Sequence, residues 1–193
     1  IVYDTGGISL KPTSGMLDMK SDMAGGATVA GIMYAAARSK LPVHLIGLVP
    51  ATDNRPDGNA YTPGDVVTMH SEKTVEVINT DAEGRMILAD ALSFAKQYDP
   101  ELVFDFATLT GSASVALGPH GIVAMGNTGR SVFDKIIRSG NNTYERVVEL
   151  PLWEEYHEMI KSDIADIKNV GGREAGAITA GKFLEHFTKY PWI

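Results

Sequence analysis

The chain contains no cysteine, and that single absence removes disulfides, thiolate zinc sites and thiol nucleophiles together. Any metal must then sit on oxygen or imidazole. No apolar run approaches the roughly 18 to 20 residues of a membrane-spanning helix, so no membrane partner is expected. Positive charge is also scarce, since 17 Lys and Arg against 24 Asp and Glu leave a net charge of −7. A surface of that sign offers no footprint for phosphate backbones, and no nucleic-acid partner is expected. The chain has no G-x-x-x-x-G-K-[ST] or G-x-G-x-x-G to cradle phosphates, and no G-x-S-x-G to carry a serine nucleophile. Its five histidines, His44, His70, His120, His157 and His186, are scattered without H-E-x-x-H spacing and read as packing or surface residues. The opening "IVYDTGG" has neither the basic flank nor the apolar core of a signal peptide, and it starts inside a strand-like run, as a cut chain would.

What is present is enough apolar residue for one substantial core, 44% of 193 residues. Short β-branched runs alternate with helical patterns, the signature of βαβ units. The expected class is α/β, a mostly parallel or mixed sheet sandwiched between helices. The pattern predicts strands over Ile1–Tyr3, Val43–Val49, Val66–His70, Val75–Ile78, Leu102–Phe106 and Ile122–Met125. It predicts helices over Asp22–Ser39, Glu83–Gln97, Val132–Ser139, Trp153–Ile160 and Ala175–Phe187, with apolar spacing such as Leu88, Ala91, Leu92 and Ala95. Between Ala51 and Asp65, "ATDNRPDGNAYTPGD" is dense in turn formers and reads as one long exposed loop.

Acidic residues stand where these elements meet. In "INTDAEGRMILADAL", Asp81 and Glu83 are two apart, and on a regular helix they would point roughly 200° away from each other. They converge only if the backbone there is still a turn entering the helix. One alternative is structural, with Asn79, Thr80 or Asp81 as the N-cap and Glu83 as its capping-box partner. Two further acids shift the balance: Asp4 closes "IVYD" before Gly6 and Gly7, and Asp22 lies in "MKSDMAGG" where a helix begins. Strand C-termini and helix N-termini share one edge of a parallel α/β sheet, where ligands bind. Carboxylates gathered there repel one another unless divalent cations neutralise them, and carboxylates shared between two ions build a two-metal site. Lys11 and Arg85 lie close to these acids in sequence. Each has an ordinary reading, a solvated loop lysine and an arginine paired with an acid. In a metal site, the lysine can donate to a developing oxyanion and the guanidinium can grip a carboxylate-like anion.

"DTGGISLKP", "MKSDMAGG", "NTDAEGRMILADAL", "ATLTGS" and "DIKNVGGREAGAITAGKFL" resemble, in order and spacing, the catalytic domain of the leucyl aminopeptidase family of dinuclear zinc or manganese exopeptidases. The resemblance covers nearly the whole chain. It implies two divalent metal ions, zinc or manganese, held by Asp4, Asp22, Asp81 and Glu83, with Asp4 and Glu83 bridging and Asp81 also lending its carbonyl. It further implies that Lys11 polarises the scissile carbonyl, that Arg85 anchors a bicarbonate acting as general base, and that Met19, Thr108, Leu109 and Gly111 line the side-chain pocket. The family's substrates are peptides with a free N-terminus, and its members are cytoplasmic homo-hexamers. A further lysine ligand lies, in the family, in a Lys-Gly pair just before the segment that opens this chain. Residues 1–193 are accordingly expected to be a partial catalytic domain without the family's N-terminal domain and its last residues of sheet. The competing expectation is a metal-poor scaffold or assembly fragment of such an enzyme.

Overall fold

The helical spacing over Glu83–Gln97 folds as a helix in the computed structural model, which describes residues 1–193; of the expected apolar positions Leu92 and Ala95 are buried and Leu88 and Ala91 half-buried. Helix α3 (Glu83–Ala95) buries Met86, Ala89, Leu92 and Ala95 along one face. Against it lies α6 (Gly176–Glu185), whose buried Phe183 and Leu184 share one apolar cluster with Met86, Ala89 and Leu92 of α3. Phe183 and Phe187 meet at 5.2 Å between ring centroids, within the range aromatic pairs prefer. Val75, Val77, Ile160 and Ile167 complete the fully buried centre.

Two small sheets flank this core. β1 (Val66–Thr68) runs antiparallel to β2 (Thr74–Glu76), and β2 pairs parallel with β5 (Ile167–Lys168), Val75 opposite Ile167. β3 (Ile122–Ala124) is joined through α5 (Arg130–Thr143) to the parallel strand β4 (Val147–Glu149). That β3–α5–β4 unit is the crossover the alternating pattern predicts, and the class is α/β. The sequence pattern missed β4, β5 and α4 (Gly111–Leu117), all short. Residues 154–160, expected as a helix, wind as a 3-10 helix pinned by Glu154 to Lys182 of α6 and by buried Ile160.

Three predicted strands are not strands. Ile1–Tyr3 makes two backbone hydrogen bonds to the loop, Val2 N–H to Thr52 O and Asn54 N–H to Tyr3 O, but the one bridge there pairs Asp4 with Asn54, and Leu102–Phe106 contributes to one bridge, Val103 with Trp192. Residues 43–49 have no ladder partner at all. Their apolar character is genuine, but a strand exists only where a second backbone accepts its hydrogen bonds. One edge of residues 102–106 does find one, in Val103 N–H to Pro191 O and Asp105 N–H to Ile193 O. The other edge, like residues 43–49, faces a cavity of about 1560 Å³ that α2 (Ala24–Arg38) and α3 also border.

Helix α2 is held beside this cavity by close backbone contact. A Cβ added at Gly25 would lie 2.0 Å from the carbonyl oxygen of Phe106, whereas one added at Gly31 would meet nothing within 4 Å. Both glycines sit in the same helix, so alanine has the same intrinsic advantage at each. Gly31→Ala should therefore stabilise by about 0.5–1 kcal/mol, and Gly25→Ala should destabilise by about 1–3 kcal/mol through overpacking. Urea denaturation of the two variants checks the opposite signs.

Candidate metal and substrate site

Asp4 reaches the site on a turn that only glycine can complete. Gly6 and Gly7 have φ of 88° and 64°, a left-handed conformation that costs other residues strain. The Gly6 N–H donates to Asp4 Oδ1 at 2.8 Å. A Cβ on Gly6 would stand 2.5 Å from Ser9 O and 2.9 Å from Asp81 Oδ1. The turn is knitted to the start of α3 by Thr80, whose hydroxyl donates to Gly6 O at 2.6 Å and accepts from Ser9 N–H at 2.7 Å.

Asp81 and Glu83 converge for the reason their spacing suggests. Residues 80–82 form a 3-10 turn and the α-helix begins only at Glu83, so the two side chains leave different backbone geometries. Asn79 does cap this turn, its Oδ1 accepting from Asp81 N–H at 2.9 Å. Glu83 is no capping-box partner, because the N–H of Thr80, three residues before it, goes to Ser9 Oγ at 3.2 Å and the Asn79 N–H to Asn169 Oδ1 at 3.3 Å. Glu83 Oε2 instead accepts from Asn54 Nδ2 at 2.9 Å.

The result is one group of carboxylates, Asp4, Asp81 and Glu83, each offering an oxygen within 4.8 Å of the others. No histidine joins it. Asp4 and Glu83 are buried, only 4% and 7% exposed. Lys11 supplies the counter-charge present, 2.8 Å from Asp4 Oδ2 and paired with Asp81 Oδ1. Partial burial would lower the Lys11 pKa, but its bonds to Asp4 and Asp81 outweigh that and leave it raised. Burial and then the charge of Asp4 push Glu83 up to about 7, so this group is short of positive charge. Lys11 is thus no freely solvated loop lysine.

Asp22 stands outside that group, with Oδ1 accepting the Thr108 hydroxyl at 2.6 Å. It borders the same cavity as Asp4, Lys11, Asp81, Glu83 and Arg85, as do Met19, Thr108, Leu109 and Gly111. Arg85 is 7% exposed and forms no ion pair with any carboxylate. Its Nη1 donates to Asn169 O at 2.8 Å while its Nε has no partner. Burial lowers it to about 10, against the attraction of Glu83. A buried guanidinium with a free donor suits an anion presented from the cavity.

Residues missed by sequence reasoning come from two places. Asn54 and Tyr61 sit in the long loop of residues 51–65, which is not exposed throughout, since Asn54 is 8% exposed and the Tyr61 hydroxyl is buried without a partner. Burial and then the charges of Glu83 and Asp4 raise Tyr61 to about 12. Asn169, wholly buried in the "DIKNVGG" block, receives the N–H of Ile78 at 2.8 Å and donates to Asn79 O at 2.7 Å. It therefore fixes the turn that delivers Asp81 and also the guanidinium of Arg85. Turn-former density was the one signal for the loop, and nothing local marked Asn169.

Comparison with known proteins places the chain in a family. A family model described as "Cytosol aminopeptidase family, catalytic domain" matches residues 1–193. The probable cytosol aminopeptidase of Chloroherpeton thalassium is 56% identical over 188 residues, covering 97% of this chain and 37% of that protein. That of Histophilus somni is 51% identical over 195 residues, covering 100% of this chain and 39% of the relative. The crystal structure of cytosol aminopeptidase from Coxiella burnetii superposes with a TM-score of 0.94 at 43% identity, over 100% of this chain and 42% of that one. The chain therefore spans well under half the length of the relatives it matches. Matching that family's catalytic domain from residue 1 to residue 193, the chain belongs to the cytosol aminopeptidase family.

Proposed function

We propose that this chain carries the catalytic centre of a metal-dependent aminopeptidase that releases N-terminal residues, leucine-like ones above all, from peptides. The observation that supports it best is the buried group of Asp4, Asp81 and Glu83, with Lys11 against it and Arg85 unpaired beside it. The donor set fits two hard or borderline divalent ions such as zinc or manganese, for it offers carboxylate oxygen only and lacks positive charge. Asp4, Asp81 and Glu83 would hold one ion, and Asp4, Glu83 and Asp22 the other. When bound, such ions supply Lewis-acid polarisation of the scissile carbonyl and a water acidic enough to attack it at neutral pH.

The chain's own groups do the rest. Lys11 donates a charge-assisted hydrogen bond to the carbonyl oxygen as negative charge develops there. The free Nε of Arg85 holds a small carboxylate-like anion, bicarbonate in this reading, which takes the proton of the attacking water. Met19, Thr108, Leu109 and Gly111 line the recess for the first side chain, with the Leu109 backbone aligning the substrate. Homo-hexameric assembly and a cytoplasmic location belong to the same proposal and rest on family membership. No helix is long and apolar enough to cross a membrane.

Two measurements test this reading. Leucyl amide should be hydrolysed by the metal-loaded protein and not after chelation, and N-acetylated leucyl amide should not be cleaved at all; chelator-insensitive hydrolysis would refute it. Metal uptake should also depend on pH. With its pKa raised to about 7, Glu83 keeps its proton below that pH, and an incoming ion must displace it. Apparent affinity should fall as pH drops through 7, and the first ion bound should release about one proton at pH 6 and close to none at pH 8, the second ion displacing no further proton from the shared Glu83. Calorimetry in buffers of different ionisation enthalpy counts those protons.

A further inference from the structure

Asn54 lies far from the acidic motifs in sequence, yet its side chain is the one neutral group that touches two carboxylates of the site. Its Nδ2 stands 2.9 Å from Asp4 Oδ1, 2.9 Å from Glu83 Oε2 and 3.0 Å from the carbonyl oxygen of Thr80. An amide nitrogen carries two hydrogens, so these three acceptors compete for two donors and one hydrogen is shared. The orientation is unambiguous, because the flipped amide would set Oδ1 against three acceptor oxygens. That oxygen faces Gly7, where an added Cβ would lie only 2.7 Å from it.

The backbone of Asn54 is fixed just as firmly. Thr5 donates to Asn54 O through both its N–H, at 2.9 Å, and its hydroxyl, at 2.7 Å. The Asn54 N–H donates to Tyr3 O at 3.1 Å. These bonds form the parallel bridge between Asp4 and Asn54, so the amide and one of its carboxylate partners ride on adjoining backbones. The other partner, Glu83, opens α3. Asn54 therefore ties the turn that carries Asp4 to the helix that carries Glu83, at the oxygens themselves.

We propose that Asn54 is a positioning residue for metal binding, its carboxamide setting the rotation of the Asp4 and Glu83 carboxylates so that their remaining lone pairs converge on the cations. The proposal rests on the reading of Asp4 and Glu83 as metal ligands. Glu83 Oε2, which accepts only this bond, keeps a second lone pair, and Asp4, whose Oδ1 accepts from both Gly6 N–H and Asn54 Nδ2, keeps Oδ2 for the cations, so the amide orients both groups without occupying the site. A neutral donor suits this task, since a lysine or arginine there would compete with the ions for the same charge.

Calorimetric titration of Asn54→Ala and the parent chain with manganese and with zinc tests the proposal. The expected result is ~10- to 100-fold weaker binding in the variant with the number of ions bound at saturation unchanged. Equal affinity in both proteins overturns the proposal, whereas a variant that loses stoichiometry instead of affinity is misfolded and passes the decision to spectra of the parent. If the parent itself binds no metal, the reading of the carboxylates falls first, and the two failures are told apart. Should Asn54→Ala not fold, asparagine-selective nitrogen-15 spectra of the parent decide the matter. The Asn54 amide protons should stay slow to exchange with solvent both before and after zinc is added, and fast exchange in the zinc-loaded protein overturns the assignment.

Discussion

Replacing Glu83 with glutamine is expected to abolish metal uptake and to slow aminopeptidase turnover by more than ~10²-fold, while leaving the metal-free protein folded. Glu83 is buried beside Asp4, and its pKa is raised from 4.5 to about 7 by that burial and by the Asp4 charge. A group whose folded-state pKa is raised in this way binds more protons folded than unfolded between those values, so the metal-free protein loses stability as pH rises from 4.5 to about 7. Glutamine removes that loss. It also keeps an oxygen for the bond that Asn54 donates. At pH 8 the metal-free Glu83→Gln variant should therefore be at least as stable as its parent, yet unable to hold ions by a charged carboxylate. If Glu83 served only to begin α3, the substitution would cost about 1 kcal/mol or less and leave metal content alone. Metal analysis beside thermal denaturation separates the two.

Lysine 11 should show the opposite pattern. Lys11→Ala is expected to lower kcat by ~10² to 10³, the usual cost of removing one donor from an oxyanion site, without loosening the metals. The ammonium now pairs with Asp4 and Asp81, the same carboxylates assigned to the ions, so it competes with them for charge. Taking it away should leave ion affinity unchanged or tighter. Persistent turnover would reduce Lys11 to a partner of the acids, and weakened ion binding would make it an organiser of the ligands.

The parts of the site that were legible from sequence are those whose geometry is local. The two-residue spacing of Asp81 and Glu83 requires a turn before the helix, and the 3-10 turn of residues 80–82 is there. Glycines after Asp4 imply a backbone that L side chains cannot follow, and Gly6 and Gly7 have that backbone. Contacts between distant segments left no local trace. Asn54 meets Glu83 across 29 residues and Asp4 across 50, and Asn169 reaches Arg85 across 84. An asparagine in a turn-rich loop looks the same whether it is solvated or buried against two acids. The fold divides likewise. Helices α2, α3, α5 and α6 were readable because their hydrogen bonds are internal to the segment. Residues 43–49 carry the short apolar run of a strand and form no strand, because pairing depends on a neighbour that the pattern itself cannot reveal.

Titration of the chain with manganese, followed by calorimetry, reads the carboxylate cluster without requiring turnover. Asp4, Asp81 and Glu83 already present oxygens within 4.8 Å of one another, whereas Asp22 stands apart and accepts from Thr108. One ion should be bound firmly by the first three and a second more weakly with the help of Asp22, and neither should bind once Glu83 is glutamine. A chain that takes up neither manganese nor zinc, or one that binds them equally well with and without the Glu83 carboxylate, would contradict that ligand assignment.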